Sequence, residues 1–339
     1  MGRVIGLIPF SLSEWAVLLF FLALLTYLVA TVVRMVKTAE YGKLFARLGS
    51  TLLLTVSLVY GAFIALWGTN YYAEPLHKTL GLVVEPQSVT VLSDVTESIA
   101  VSLNASSALV LRDENGVMRD ETFRAVADGV ADGYTELGGL FPEFLRGGAR
   151  PKTPLISEWM SYAGITGIYI PFLAEPNVNG HAPASSIPFT TAHEVAHSYG
   201  FAKEDEANFI AYLACRASPH GAYAYSGDLA AFVYCYNALA AENYDRAAEI
   251  YGRLNSAVRA DLSARAAYWK AYEGPVQETA SAVNDGYLRA MATVDGVKSY
   301  GRVVDLIIAD YLARGDLAPD GQNSGIQVSG HGQDTSGNE

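Results

Sequence analysis

The sequence predicts a mainly α-helical protein with a small β-sheet (an α+β fold), preceded by two transmembrane helices. Two long uncharged runs lie within the first 70 of the 339 residues. Most later segments carry apolar residues at three- and four-residue spacing, typical of amphipathic helices, whereas one short segment is rich in β-branched and aromatic residues. We therefore expect a membrane anchor at 1–70, a soluble domain at 71–314 and a disordered tail at 315–339.

The two predicted membrane helices cover about 13–33 and 51–68. Residues 15–33 contain no charge, and nineteen helical residues cross most of a hydrocarbon layer of about 30 Å. A cleaved signal peptide is not followed by a second apolar run of similar length. The intervening segment, 34–50, is basic, and short basic loops stay in the cytoplasm. Both ends of the chain, including the soluble domain, are therefore expected to be extracytoplasmic.

Aromatic residues flank the expected outer boundary of the membrane: Trp15, Trp67, Tyr71 and Tyr72. Such amphipathic rings favour the headgroup region. Neither apolar run contains an ionisable residue, so the two helices are expected to anchor the protein in the lipid bilayer rather than to transport a solute.

Composition and charge exclude several classes of protein. With 51% hydrophobic and 17% charged residues, the chain is not wholly disordered. Cys215 and Cys235 are too few for a disulfide framework and are interpreted as core thiols, although their pairing stays open. The net charge is −12, and the anchor is basic, so the soluble domain is strongly acidic. With no basic cluster and no glycine-rich phosphate loop, we expect neither nucleic acid nor nucleotide as a partner.

The soluble domain is predicted to contain few strands, all of them early. A strand is expected at 165–172, whereas 88–111 mixes apolar and polar residues ambiguously. Helices are predicted at 120–140, 228–241, 244–255, 257–272 and 301–313.

The segment His193-Glu194-Val195-Ala196-His197 is the part of the sequence that indicates a metal-dependent activity. Two histidines four residues apart on a helix project from the same face and can bind one zinc ion, with the glutamate beside the metal-bound water. Thr190 and Thr191 are expected to cap this helix, and Gly200 to end it.

A zinc site of this type needs a third protein ligand. A second acidic helix begins at Glu204, and in an antiparallel hairpin about residues 200–201 Glu204 faces His197 while Asn208 faces His193. We favour Glu204 as the ligand, with Glu206 as the alternative, and expect Asn208 to orient His193 from the second shell. This Glu-x-x-x-Asn pattern is typical of glutamate-ligand zincins (gluzincins), and Lys203 stands where a metzincin needs its third histidine.

The predicted chemistry is hydrolysis of a peptide bond. One Zn²⁺ lowers the pKa of bound water and polarises the carbonyl group, and Glu194 accepts the proton as general base. Spacing does not select the oxyanion or substrate contact. The candidates are Tyr225, Tyr223 and His220, then His181 and Tyr212. The free edge of the strand at 165–172 is a further candidate for binding an extended peptide.

The sequence also resembles an uncharacterised bacterial family known as domain of unknown function 3810. The resemblance spans about 60–312. It is carried by residues 67–76, 164–172, Glu175, 177–179, 187–190, the His193–His197 motif, Gly200-Phe201, 204–213, Tyr225-Ser226-Gly227, 295–297, 299–301 and Val304-Asp305. It implies a membrane-anchored zinc metallopeptidase, and family members carry another apolar segment before Pro9, so this chain is expected to start late.

Only the resemblance singles out Glu175 and Asn177. They either line the cleft as substrate contacts or, as we prefer, are a solvated glutamate and a loop asparagine.

The sequence thus predicts an integral membrane zinc metallopeptidase with a peptide or protein substrate. Two alternatives stay open: a zinc-binding membrane sensor or scaffold without turnover, and an amidase that acts on the cell envelope with the same metal chemistry. An intact Glu194 argues against the first, because a structural zinc site needs no general base.

Overall fold

The structure is a computed structural model that describes residues 2–146, 148–291 and 300–315. Within these residues the chain is mainly helical with one small antiparallel sheet, which confirms the predicted fold class. The tail predicted to be disordered lies outside the described residues from 316 onward, and so do residues 295–297 and 299 of the resemblance.

The helices, in chain order from α1 to α14, are Gly2–Ile5, Leu12–Thr38, Tyr41–Leu66, Leu76–Thr79, Val89–Ser106, Phe123–Glu136, Ser157–Tyr162, Ile187–Ser198, Glu204–Ala217, Gly221–Glu242, Tyr244–Gly252, Ser256–Ala271, Pro275–Ala290 and Tyr300–Arg314. The strands are β1, Gly167–Ile170, and β2, Glu175–Val178. Short 3₁₀ helices occur at Gly68–Tyr72, Ser107–Leu109, Leu137–Gly139 and Pro142–Arg146.

Helices α2 and α3 are long and apolar enough to span a membrane. Only 6% of the apolar window of α2 and none of that of α3 is buried by protein, so neither is the core helix of a soluble domain. The two helices lie side by side, and the Tyr27 hydroxyl donates to Thr51 Oγ1 at 3.0 Å. Their outer surfaces are therefore available to lipid.

The basic segment 34–50, expected to be a loop, is almost entirely helical. Helix α2 continues to Thr38 and α3 already begins at Tyr41, so Ala39 and Glu40 alone make the turn. Ala39 adopts a left-handed conformation (φ 52°) that reverses the chain. The prediction of a loop was wrong because apolar run length marks only the lipid-facing part of a helix, whereas backbone hydrogen bonding extends the helix beyond it.

The core of the soluble part surrounds α9, whose residues from Asp205 to Cys215 are all buried. Helices α6, α8, α10 and α14 pack around it. The ambiguous segment 88–111 mostly forms α5, which Ser88 caps and which buries Val95, Ile99 and Leu103 at four-residue spacing against α10. Cys215 and Cys235 are buried and are not bonded to each other, as expected for core thiols.

The two strands pair antiparallel, with Gly167 opposite Val178 and Ile170 opposite Glu175. Strand β1 forms the middle of the predicted strand at 165–172. Strand β2 was not predicted, and the interpretation of Glu175 and Asn177 as solvent-exposed loop residues was wrong, because both are 1% exposed. Their polarity concealed the strand, since buried polar residues that are satisfied by long-range partners look like loop residues in a sequence.

Glu175 attaches the start of α2 to the sheet. Its carboxylate accepts hydrogen bonds from the backbone N–H groups of Leu12 (3.1 Å) and Ser13 (2.9 Å), and from the Ser11 hydroxyl at 3.1 Å. Lys152 Nζ, also buried, lies 2.6 Å from the same carboxylate. An acidic group at a helix N-terminus is favoured by the unpaired N–H groups there, so this contact holds α2 firmly.

The end of α3 is attached through aromatic residues. Trp67 and Tyr71 are 6% and 8% exposed and form a small cluster with Ala202, against which Tyr169 and Tyr287 pack. The expectation that Trp67 and Tyr71 face lipid headgroups was therefore wrong, because the soluble part covers them. Trp15 and Tyr72 do remain exposed.

Candidate metal centre

Helix α8 presents the two histidines and the glutamate of the motif. It begins at Ile187 with Pro188 in its first turn, and ends just before Tyr199 and Gly200, whose φ is 102°. Thr191 is not a cap, because its hydroxyl donates to the Ile187 carbonyl inside the helix. The expected cap at Thr190 or Thr191 was therefore at least four residues late, because Ser186 is the residue that precedes the helix and proline is well tolerated in the first turn.

The structure brings His193, His197 and Glu204 together. Glu204 is the first residue of α9, and its two carboxylate oxygens lie 3.2 Å from His193 Nε2 and 3.6 Å from His197 Nε2. One donor atom from each of the three residues lies within 4.8 Å of the other two. The chain reverses between the histidines and Glu204 at Gly200.

These distances suit a zinc ion. Zinc binds nitrogen and oxygen ligands at about 2.0–2.2 Å in tetrahedral geometry, which places neighbouring ligand atoms about 3.3–3.5 Å apart. The two nitrogen–oxygen separations given above bracket that range. Two imidazoles and one carboxylate also leave the fourth position open, as catalytic zinc sites require.

The ring of His197 is held in the orientation that a ligand needs. Its Nδ1 lies 2.6 Å from the Phe201 carbonyl oxygen, so Nδ1 carries the hydrogen and Nε2 keeps its lone pair. Asn208 lies beside His193 and acts to raise its pKa. His193 Nδ1 and Asn208 Nδ2 are buried without a hydrogen-bond partner. A half-turn of the Asn208 amide would offer Oδ1 to His193 as an acceptor.

Glu206 lies in a different environment. Its Oε1 accepts hydrogen bonds from the Leu76 backbone N–H and from Lys203 Nζ, both at 3.0 Å. It thus connects the segment that follows the membrane helices to α9. The geometry supports Glu204 and not Glu206 as the third ligand, because Glu206 already has a cation and a backbone donor as partners.

The electrostatics of the side chains favour a cation. Burial acts to raise the pKa of Glu204, but the hydrogen bond with His193 and the charges of both histidines lower it to about 2. Burial and the charge of His193 lower the pKa of His197 to about 4. For His193, burial acts to lower the pKa, and the hydrogen bond and charge of Glu204 outweigh this and raise it. Glu204 and His197 are thus held in the ionised and neutral states that bind metal, whereas the raised pKa of His193 reflects the attraction of Glu204 for positive charge at this position.

Glu194 lies against strand β1. Burial is the main cause that raises its pKa, to about 8, and its Oε2 is buried without a hydrogen-bond partner. A Cβ atom on Gly167 would lie 2.7 Å from both Cγ and Cδ of Glu194, so the absence of a side chain there makes room for the carboxylate.

A cleft of about 500 Å³ contains this cluster. Its walls come from β1 and the loop before it, from α8, α9, α10, α12 and α13, and from the end of α3. Strand β1 has no strand partner on its other edge within the described residues, and its residues Gly167, Ile168 and Tyr169 line the cleft.

The residues predicted to contact the oxyanion or substrate lie elsewhere. The Tyr225 hydroxyl donates to Asp261 Oδ2 at 2.5 Å, and the Tyr223 hydroxyl donates to the Val126 carbonyl at 2.6 Å. His220 Nε2 lies 2.7 Å from Asp132 Oδ2 at the surface. Tyr212 is buried beside Arg216, and His181 is exposed. None of these five lines the cleft. The prediction that these residues contact the oxyanion or substrate was wrong. Their closeness to the motif along the chain does not determine which face of a later helix points towards His193 and His197.

Sequence reasoning missed four residues that do line the cleft: Trp67, Tyr169, Tyr234 and Arg265. The Trp67 ring packs edge-on against His197, with centroids 5.6 Å apart, and Tyr234 donates to Asn208 Oδ1 at 3.2 Å. Arg265 makes no hydrogen bond or ion pair within the described residues, and burial lowers its pKa. Only Trp67 and Tyr169 had a sequence signal, since both fall in the stretches that carry the family resemblance.

One family model matches the chain, over residues 1–308, with the description "Protein of unknown function (DUF3810)". This match includes the two N-terminal helices and so begins well before the residue 60 at which the resemblance was expected to start. No curated protein and no solved structure matches the chain.

Proposed function

Because the chain belongs to the DUF3810 family, whose description assigns no activity, we propose from the site itself that the protein is an integral membrane zinc metallopeptidase. The observation that carries the proposal is the convergence of His193, His197 and Glu204 at zinc-like separations. It would be a glutamate-ligand zincin, with one zinc ion held by these three residues.

Glu194 is the general base in this proposal. When bound, zinc would act as a Lewis acid that lowers the pKa of its bound water to near neutral and polarises a carbonyl group. Burial brings the pKa of Glu194 to about 8 before any cation binds, and the charge of zinc would lower it. A carboxylate of this kind accepts a proton from water and then delivers it to the leaving amine.

Strand β1 is the proposed binding surface for the peptide. Its residues line the cleft, one of its edges has no strand partner within the described residues, and an extended peptide can add to such an edge through main-chain hydrogen bonds. Gly167 would then lie beside both the substrate backbone and Glu194. This arrangement favours a peptide over a compact small molecule.

Arg265 is the proposed contact for negative charge on the substrate. It is the only lysine or arginine among the residues that line the cleft, and it has no acidic partner within the described residues. A guanidinium group has five N–H donors, so one that is partly buried without acceptors is poised to bind a carbonyl or carboxylate oxygen.

Helices α2 and α3 support insertion into a membrane. Their apolar surfaces are left uncovered, and four basic residues lie near the turn that joins them: Arg34, Lys37, Lys43 and Arg47. The soluble part is attached to the opposite ends of these helices. If the basic end stays in the cytoplasm, the cleft is extracytoplasmic.

The test compares full-length wild type with Glu194→Gln and with the double variant His193→Ala/His197→Ala in detergent. The substrates are a random peptide library and purified peptidoglycan, with products identified by mass spectrometry and zinc measured by elemental analysis. We expect wild type to cleave peptides, Glu194→Gln to keep zinc and lose cleavage, and the double variant to lose both.

The other outcomes separate the alternatives. Zinc binding without cleavage of either substrate would favour a sensor or scaffold. Cleavage of peptidoglycan alone would favour an envelope amidase. Wild type without zinc would refute the proposal altogether.

A further inference from the structure

The cleft and the membrane helices share a wall. Phe63 lines the cleft, although it belongs to α3 and lies three residues before the end of that helix at Leu66. At a rise of about 1.5 Å per residue, this is about 4.5 Å inside the apolar helix. The cleft therefore reaches the last turn of the apolar helix α3.

The proposed metal ligands lie at nearly the same level. The Trp67 ring, directly after α3, is 5.6 Å from the ring of His197 and 4.9 Å from that of Tyr169 in β1, measured between centroids. A single aromatic ring thus separates the end of the membrane helix from both the histidine and the peptide-binding strand. A substrate on β1 would lie close to the surface of the bilayer.

A second apolar surface lies at the start of α2. We call Leu155, Ile156, Trp159 and Tyr162 the apolar rim. The backbone N–H groups of Leu155 and Ile156 donate to the Glu14 carboxylate in the first turn of α2, both at 3.0 Å. Leu155 and Trp159 are 82% and 73% exposed, unusual values for such large apolar side chains.

The apolar rim leads directly into the cleft. Helix α7, which carries Trp159 and Tyr162, is followed by Ala163 and Gly164, and both of these residues line the cleft. Because Glu14 marks the end of the uncharged part of α2, a bilayer around α2 would place its headgroups at the depth of the rim, where tryptophan and tyrosine are favoured. The rim thus adjoins the start of the apolar helix α2.

We infer that the cleft receives polypeptide segments held at the surface of the bilayer, so that its substrates are membrane-tethered proteins cut close to their membrane attachment. The inference rests on the proposed peptidase function and specifies its substrate class. Tethering in the same membrane raises the local concentration of substrate at β1. The apolar rim keeps β1 itself close to the lipid surface.

The test uses the full-length protein in vesicles of phosphatidylcholine and phosphatidylglycerol. A library of random segments of about 20 residues, reaching about 70 Å when extended, is supplied either fused to one transmembrane helix in the same vesicles or free in solution. We expect cleavage of the tethered library to be at least about 10-fold faster, with cuts clustered in the membrane-proximal half.

Variants of the rim provide the matched control. Trp159→Ser should slow cleavage of the tethered library and leave that of the free library unchanged, and Trp159→Phe should restore the rate. Val101→Ser replaces an apolar residue that is 66% exposed on α5, and it should change neither rate. Quenching of tryptophan fluorescence by lipids brominated near the headgroup should fall in Trp159→Phe.

Equal cleavage rates for the tethered and free libraries, or cuts scattered along the segment, would overturn the inference. The proposed peptidase function would still stand if Glu194→Gln cleaves neither library. Failure of wild type to cut either library would overturn the peptidase function and this inference with it. Unchanged quenching in Trp159→Phe would show that the rim does not contact lipid, and would also overturn the inference.

Discussion

The carboxylate of Glu194 packs directly on the backbone of Gly167. A Cβ atom at Gly167 would lie 2.7 Å from two carbon atoms of the Glu194 side chain, closer than non-bonded carbons approach. The contact joins α8 to β1, which lines the cleft and has β2 as its one strand partner within the described residues. The proposed general base and the proposed peptide-binding strand therefore have a fixed separation.

Replacing Gly167 by alanine should disable the proposed base without removing the metal. The added methyl group would displace the Glu194 carboxylate, and an error of about 1 Å in a catalytic group costs about 100-fold in rate. We expect kcat/KM to fall by about that factor with zinc content unchanged. Gly252→Ala is the control, because nothing lies within 4 Å of a Cβ at Gly252. Full activity in Gly167→Ala would contradict the contact.

Zinc content should distinguish the two acidic residues at the start of α9. Glu204→Ala should lose bound zinc after dialysis, because one of the three proposed protein ligands is gone. Glu206→Ala should keep zinc but unfold more easily, by about 1–3 kcal/mol, since the buried Leu76 N–H loses its acceptor. Elemental analysis and thermal unfolding measure the two effects. Loss of zinc in the Glu206 variant alone would reverse the assignment of the ligand.

Arg265 should affect turnover and not metal binding. If it contacts developing or fixed negative charge on the substrate, Arg265→Ala should lower kcat/KM by about 100-fold, as the loss of one preorganised donor does. Arg259→Ala changes an exposed arginine on the same helix, α12, and should have no effect. The zinc content of both variants should equal that of wild type. Equal activity of the two variants would remove Arg265 from the site.

The buried pair of Lys152 and Glu175 should make stability depend on pH. Burial acts to raise the pKa of Glu175, but the hydrogen bond from Lys152 and the contacts with Ser13 outweigh it and lower the pKa. Its stabilisation is therefore complete above the unfolded pKa of about 4.3 and is lost as the pH falls through the lower folded value.

Glu175→Gln tests this dependence by leaving the Lys152 charge buried and unpaired. It should destabilise the protein by about 3 kcal/mol at pH 7 and flatten the decline of Tm below pH 5. Thermal unfolding in detergent measures both effects, with Glu85→Gln, an exposed site, as the control. A Tm of Glu175→Gln equal to that of wild type at pH 7 would contradict the role of the pair.

Much of the fold and the centre of the site could be predicted because the relevant signals are local. Apolar run length predicts α2 and α3, and apolar spacing predicts α6, α10, α11, α12 and α14, although it left α5 ambiguous. The four-residue separation of His193 and His197 matches one turn of a helix, so their common direction follows from helix geometry alone. Even the approach of Glu204 follows from a tight turn at Gly200, which brings the ends of two short helices together.

The rest depends on contacts between residues that are distant in the chain. In the sequence Trp67 resembles an interfacial anchor, but in the structure it packs on His197. Glu175 resembles a solvated residue, but Lys152 and Ser13 surround it. Tyr225 resembles a free hydrogen-bond donor for the substrate, but its hydroxyl donates to Asp261. By itself the sequence determined the two long apolar helices, most of the later helices and the paired histidines, because each depends on residues within a few turns of one another. Only the tertiary structure decided which side chains line the cleft and how close the cleft lies to the membrane helices, because burial and pairing of a polar group depend on partners that the chain brings in from far away.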